Sequence, residues 1–260
     1  MATQRYFATL SFHGAAFAGW QVQPEQATVQ GVLGNALQRV LGADELPVGA
    51  GRTDAGVHGQ NYVAHFDLSG PLEDIEQACY KLNRMLPPGI AVHRIDAVHP
   101  DAHARFSCTS RSYVYRLART KDPFNRDTAW SVERSLDAEG MQEAASILVG
   151  EHDFSAFAKA QADHTTPFCT VYEAYWVMTG DEWHFHIRAN RFLRNMVRAL
   201  VGTLVELGQG MWTQEEFRSL LQGGDRSLSG SSAPAQGLFF NGASYPKNLF
   251  VHGSSEREGL

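Results

Sequence analysis

The sequence predicts an α+β protein, on three observations. Several short stretches alternate apolar and polar residues with the period of a strand. Several longer ones carry an apolar stripe at helical spacing behind a capping residue. Their order through the first hundred residues is strand, helix, strand, strand, helix, strand, which gives a sheet with helices on one face.

Arg5 to Phe12 alternates, with Tyr6, Ala8, Leu10 and Phe12 on one side, and reads as the first strand. Thr28 then precedes Val29, Val32, Leu33, Ala36, Leu37, Val40 and Leu41, a capped helix weakened by Gly31 and Gly34 at about 1 kcal/mol each relative to alanine. Leu46-Pro47-Val48 is a short extended run. Asn61 to Leu68 alternates again. Ser69 and Pro71 open a second helix with a stripe of Leu72, Ile75, Cys79, Leu82 and Leu86, ended by Pro87-Pro88 and followed by a strand over Ile90 to Ile95.

The second half has longer elements. Arg111 to Leu117 reads as a strand with Arg111, Tyr113, Tyr115 and Leu117 on one face. Leu136 to Val149 is a helix stopped by Gly150, and Val171 to Met178 and Trp183 to Ala189 flank a hairpin turn. Arg191 to Leu207 is assigned to one helix, with Arg191, Arg194, Asn195 and Arg198 along a polar stripe. Thr213 and Glu216 form a capping box. No linker divides the chain near residue 100, so the two halves are expected to share one sheet. Residues 1–104 are read as one domain, 105–250 as a second and 251–260 as a loose tail.

Composition is that of a soluble globular protein, 43% hydrophobic and 19% charged. No apolar run approaches 18 residues and no leader precedes the first strand, so a cytoplasmic protein with no membrane partner is expected. Three dispersed cysteines without a CxxC pair argue against a disulfide framework or structural zinc. His184 and His186 share a strand face but lack further ligands at fixed spacing, and no metal is expected. A net charge of −6 argues on its face against nucleic acid, yet the distribution reverses that impression. Ala102 to Arg126 holds six basic residues against Asp122 alone, and His184 to Gly202 holds four arginines and no acid. An acidic chain can thus carry a basic face. Tyrosines interleaved with arginines suit unstacked bases and phosphates, although strand tyrosines also pack cores.

The chemistry centres on Gly49-Ala50-Gly51-Arg52-Thr53-Asp54-Ala55-Gly56-Val57-His58-Gly59-Gln60. A dinucleotide fingerprint would need a third glycine where Asp54 stands, and no Gly-Lys-Ser/Thr follows. What remains is a glycine-shaped loop presenting a carboxylate beside Arg52. Aspartate beside glycine also closes turns, the other reading of Asp54.

Gly51-Arg52-Thr53-Asp54-Ala55-Gly56-Val57-His58 resembles the signature of the tRNA pseudouridine synthase A family. Phe17-Ala18-Gly19-Trp20-Gln21, Arg111-Ser112-Tyr113-Val114-Tyr115, His152-Asp153-Phe154, Met196-Val197-Arg198 and Ala233-Pro234-Ala235-Gln236-Gly237-Leu238 resemble further family segments. Phe12-His13-Gly14 departs from the family's Tyr-Asp-Gly.

The resemblance implies two similar α/β domains on an extended, mostly antiparallel sheet with a central RNA-binding cleft, and a homodimer acting on tRNA. It implies isomerisation of uridine to pseudouridine at positions 38 to 40 of the anticodon stem-loop, without a cofactor. By resemblance Asp54 is catalytic, Arg198 pairs with it, and Tyr113 contacts the target nucleotide. Arg52 is assigned to extruding that nucleotide, and Arg191 and Arg194 to phosphate binding. Two rivals remain: a non-catalytic RNA-binding protein or RNA chaperone, which would keep the basic strands and Tyr113 and have no use for Asp54, and an aspartate-dependent hydrolase of small molecules, which would keep Asp54 and show no salt-dependent RNA affinity.

Overall fold

The computed structural model describes residues 3–159 and 166–251, and the tail expected at 251–260 falls, from 252 on, outside them. The protein is α+β with mostly antiparallel strands. Its chain forms two compact units. The first comprises residues 1–109 and 240–260, and the second residues 110–239.

The first unit follows the expected order. Strand β1 (Gln4–Phe12) lies between β3 (His58–Leu68) and β4 (Ile90–Val98), antiparallel to both. The short β2 (Val48–Gly49) pairs with β3 at His65 and Ala64. From Phe240 onward, β10 (Leu238–Ser244) brings the C-terminal segment back beside β3. Phe250 bridges to Val98, and His99 N–H donates to the Leu249 carbonyl at 2.9 Å.

Helix α1 (Val29–Leu41) begins as its sequence indicates, with the Thr28 hydroxyl accepting from Gly31 N–H. Its glycines are matched to their surroundings. A methyl group at Gly34 would lie 2.5 Å from Leu46 Cδ2, so the loop before β2 packs where a larger residue would intrude. Helix α2 (Ile75–Met85) starts later than Ser69 or Pro71, because Asp74 is the cap and accepts from Gln77 N–H at 2.8 Å. Leu72 lies outside it, its N–H given to the Tyr6 hydroxyl at 2.7 Å.

In the second unit the strand order is β5 (Ser110–Ala118), β9 (Glu182–Ala189), β8 (Phe168–Thr179), β7 (Gly150–Asp153), with β6 (Trp130–Ser131) parallel to β5. The β8–β9 hairpin turns at Gly180, as the sequence indicates. Helix α3 (Ala138–Ile147) is shorter than Leu136 to Val149 because Asp137 caps it and Leu148 closes it. Helix α4 (Met196–Gly208) is almost wholly buried, and α5 (Gln214–Ser219) carries the expected capping box.

The helix assigned to Arg191 to Leu207 is corrected at its start. Asn195, at φ 70°, occupies the left-handed region immediately before Met196, which no right-handed helix can run through. Its side chain donates to Ser232 Oγ at 2.8 Å, a tertiary bond that fixes the break. Arg191, Arg194 and Asn195 therefore do not share a helical stripe with Arg198.

One buried titratable group in the first unit carries a pH prediction. His65 Nδ1 accepts from Ala104 N–H at 3.1 Å, and burial, with Arg5 and His103 nearby, pushes its pKa down to about 4 from 6.5. Between those values the unfolded chain binds the proton and the folded one does not, so stability falls as pH drops from 6.5 toward 4. The loss expected is about 2 kcal/mol, partial solvation having reduced the value set by about 1.4 kcal/mol per pKa unit. Thermal midpoints measured between pH 7 and 4.5 check this; a midpoint insensitive to acid would contradict it.

Candidate active site

The Asp54 loop is braced from below and from the side. Its floor is an aromatic cluster in which Trp20 lies 4.5 Å from Tyr62, Phe12 lies 5.4 Å from Tyr62, and Tyr62 lies 4.9 Å from Phe240. The Tyr62 hydroxyl donates to the Gly51 carbonyl and accepts from Gly51 N–H, fixing where the chain leaves β2. Ala50 N–H is held by the Val63 carbonyl at 2.8 Å.

The side brace is the segment following β1. Trp20 N–H donates to the Thr53 carbonyl at 3.2 Å, and Gly56 N–H to the Phe17 carbonyl at 3.4 Å. Gly19, at φ 89°, lies so close that an added Cβ would meet the Thr53 carbonyl oxygen and sit 3.1 Å from the Asp54 carbonyl carbon. This contact explains the glycine in Phe17-Ala18-Gly19-Trp20-Gln21. That residue meets two demands at once, a left-handed backbone and no side chain.

Asp54 begins a tight turn closed by Val57 N–H donating to its carbonyl at 3.2 Å. Gly56 stands third in that turn at φ 81°, the conformation such a turn requires there. Arg52 is exposed, Asp54 half-buried and Thr53 buried, with the Thr53 Oγ1 lacking a hydrogen-bond partner among the described residues. His58 closes the loop structurally. Its Nδ1 accepts from Gly14 N–H at 3.0 Å and its buried ring lies 4.5 Å from that of His13. The histidine in the departing Phe12-His13-Gly14 thus packs edge-on against the loop's own histidine.

The second unit holds the other candidates. Tyr113, 8% exposed, packs edge-on to Phe192 at 4.9 Å. Arg111, on the same face of β5, donates to the Asn190 carbonyl at 3.3 Å. Arg191 is half-buried and Arg194 exposed, both in the irregular stretch between β9 and α4. The Arg194 carbonyl accepts from Lys159 N–H at 2.9 Å.

Arg198 sits in the first turn of α4, half-buried, with its Nε donating to the Ala233 carbonyl at 2.8 Å. Ala233 N–H returns a bond to the Arg198 carbonyl at 2.9 Å. The next carbonyl, Pro234, accepts from the Tyr115 hydroxyl at 2.8 Å. Burial pushes the Tyr115 hydroxyl's pKa up against a smaller opposing pull from Arg198, so it remains a neutral donor. Ala233-Pro234 is therefore a bracket between β5 and α4 that sets the direction of the Arg198 side chain. Tyr115, Trp20, Tyr62 and Gly19 had no functional reading in the sequence; for all but Tyr62, lying inside recognisable segments was the available signal.

Among the described residues, no group of three or more His, Cys, Asp or Glu could hold a metal, and no helix is long and apolar enough to cross a membrane. His186 stacks on Tyr175 at 5.0 Å, and Cys79, Cys108 and Cys169 form no disulfide among the described residues.

An α+β fold that braces an aspartate on a glycine turn within an arginine-rich chain matches a known class. The profile of the tRNA pseudouridine synthases fits residues 144–246. Curated proteins called tRNA pseudouridine synthase A are similar over nearly the whole length. That of Parabacteroides distasonis is 46% identical across 95% of this chain and 98% of its own. That of Bacteroides thetaiotaomicron is 48% identical across 95% and 93%, and that of Bacteroides fragilis 43% identical across 96% and 100%. The chain belongs to the tRNA pseudouridine synthase A family.

Proposed function

We propose that the protein isomerises uridine to pseudouridine in tRNA, at positions 38 to 40 of the anticodon stem-loop. The observation that carries this reading is the Asp54 turn, an aspartate on a loop whose backbone is held by Trp20 and Phe17, in a chain of this family. The reaction breaks the bond from uracil N1 to the ribose, turns the ring and joins C5 to the same carbon, C5 giving up its proton and N1 taking one up. No atom enters or leaves overall.

Asp54 acts as the nucleophile or base that assists this cleavage. Arg198 pairs with that carboxylate and orients it, Tyr113 contacts the target nucleotide, and exposed Arg52 helps extrude it from the stem. Arg191 and Arg194 bind phosphate. The protein acts as a cytoplasmic homodimer. Conversion of labelled uridine in an unmodified tRNA transcript, with the product mapped by position, tests the reading. Binding of the transcript without product would hand the case to the non-catalytic RNA-binding rival.

The Arg198 bracket makes a prediction of its own. Tyr115→Phe keeps the ring and removes the bond to Pro234, releasing the segment that holds Arg198 Nε. Turnover is expected to fall about tenfold, since small misplacement of a positioning group is costly, while KM for tRNA holds. The loss should also be non-additive with Arg198→Lys, because both act through one side chain. Additive losses in the double variant would show that Tyr115 acts elsewhere.

A further inference from the structure

The turn between β4 and β5 presents Phe106, whose ring is 75% exposed. The backbone that carries it is pinned. His103 Nδ1 accepts from both Arg105 N–H and Phe106 N–H, at 3.1 and 3.2 Å. His103 N–H donates to Ser107 Oγ at 3.0 Å, and Ser107 N–H donates back to the His103 carbonyl at 2.9 Å. Outside bonds pin the same turn: Arg5 donates to the Ala102 carbonyl at 3.0 Å and Tyr245 to the Ala104 carbonyl at 2.6 Å.

The rings of this turn form a ladder. His65 lies 4.5 Å from His103, and His103 lies 4.4 Å from Phe106. Phe106 is the outermost rung, and the Arg105 guanidinium stands 5.5 Å from its centroid. A solvent-facing aromatic on a pinned turn next to a cation is poorly suited to water and well suited to a flat, electron-rich ring tethered to a phosphate. Because the backbone that carries the ring is already fixed, little backbone entropy is lost when a partner settles on it.

We propose that Phe106 and Arg105 form a stacking site for an unpaired nucleobase of the tRNA, distinct from the reacting uridine. The proposal rests on RNA being the substrate. It adds a contact in the first unit outside the Asp54 loop, one that reads no base edge and so tolerates any base.

The test measures affinity of the full chain for an unmodified tRNA transcript with Phe106 replaced by Ala, Leu or Trp. Phe106→Ala and Phe106→Leu are each expected to weaken binding by about 5- to 100-fold, the range for one stacked base. Phe106→Trp should bind as the natural chain does, with its fluorescence quenched on adding transcript. Equal affinity for Phe, Ala and Leu would overturn the site, as would a Leu variant that binds normally, since apolar contact without stacking would then suffice. Loss of self-association in Phe106→Ala, seen by sedimentation without RNA, would overturn it in favour of a protein contact. A natural chain that neither binds nor converts the transcript would instead remove the underlying reading. Conversion with Phe106→Ala binding normally would remove this site alone.

Discussion

Replacing Asp54 with asparagine is expected to cut pseudouridine formation by about 10³-fold or more, the scale seen when an enzyme loses its nucleophile, while tRNA affinity stays near that of the natural chain. The substitution is nearly isosteric. The backbone bonds that shape the turn, from Val57 N–H to the Asp54 carbonyl and from Trp20 N–H to the Thr53 carbonyl, do not involve the side chain that changes. A folded protein with normal RNA binding and no product would therefore isolate the carboxylate's chemistry. Single-turnover conversion of labelled transcript by the two proteins makes the comparison. Near-normal conversion by the asparagine variant would remove Asp54 from the mechanism.

The second large effect is expected at a residue that touches no substrate. Gly19→Ala places a methyl group against the Thr53 carbonyl oxygen and forces an L side chain to φ 89°. The left-handed backbone costs about 1–2 kcal/mol, and the contact is relieved only if the Asp54 loop moves. Since displacement of about 1 Å in a positioned group can cost about 10²-fold in rate, kcat should fall by about that factor while the protein remains folded. The same change at Gly42, also at positive φ but with nothing within 4 Å of its added methyl, carries the strain without the contact. Gly42→Ala should therefore lower stability and leave kcat alone. Equal rates for the two variants would show that the brace has no influence on catalysis.

Local patterning made much of the fold legible. Alternation located β1 and β5, Thr28 marked the start of α1, and Thr213 with Glu216 marked α5, because a capping side chain bonds within three residues of itself. The error at the start of α4 arose because a distant partner decided the outcome. Arg191 to Arg198 has helical spacing, but Asn195 leaves the helical region through its bond to Ser232, 37 residues on. Gly19 stood in the sequence only as a member of a recognisable segment, since the Thr53 carbonyl it accommodates comes from another part of the chain. Asp54 itself stood out because two charged residues among glycines are a local feature. The bracket that holds Arg198 did not, because it is made of backbone carbonyls, which look alike in any sequence.

The division of the chain has a consequence for the protein's birth on the ribosome. The second unit is one uninterrupted stretch, whereas the first needs the segment from Phe240 onward to complete it beside β3 and to cap Val98 with Phe250. Emerging N-terminus first, the nascent chain must keep β3's flank open through the translation of some 130 intervening residues, 110–239. The later-made unit can mature before the earlier one, inverting the usual vectorial order. During that interval an unsatisfied strand edge is available to stray partners, and a polypeptide that stalls before Phe240 would be left with its Asp54 half unfinished.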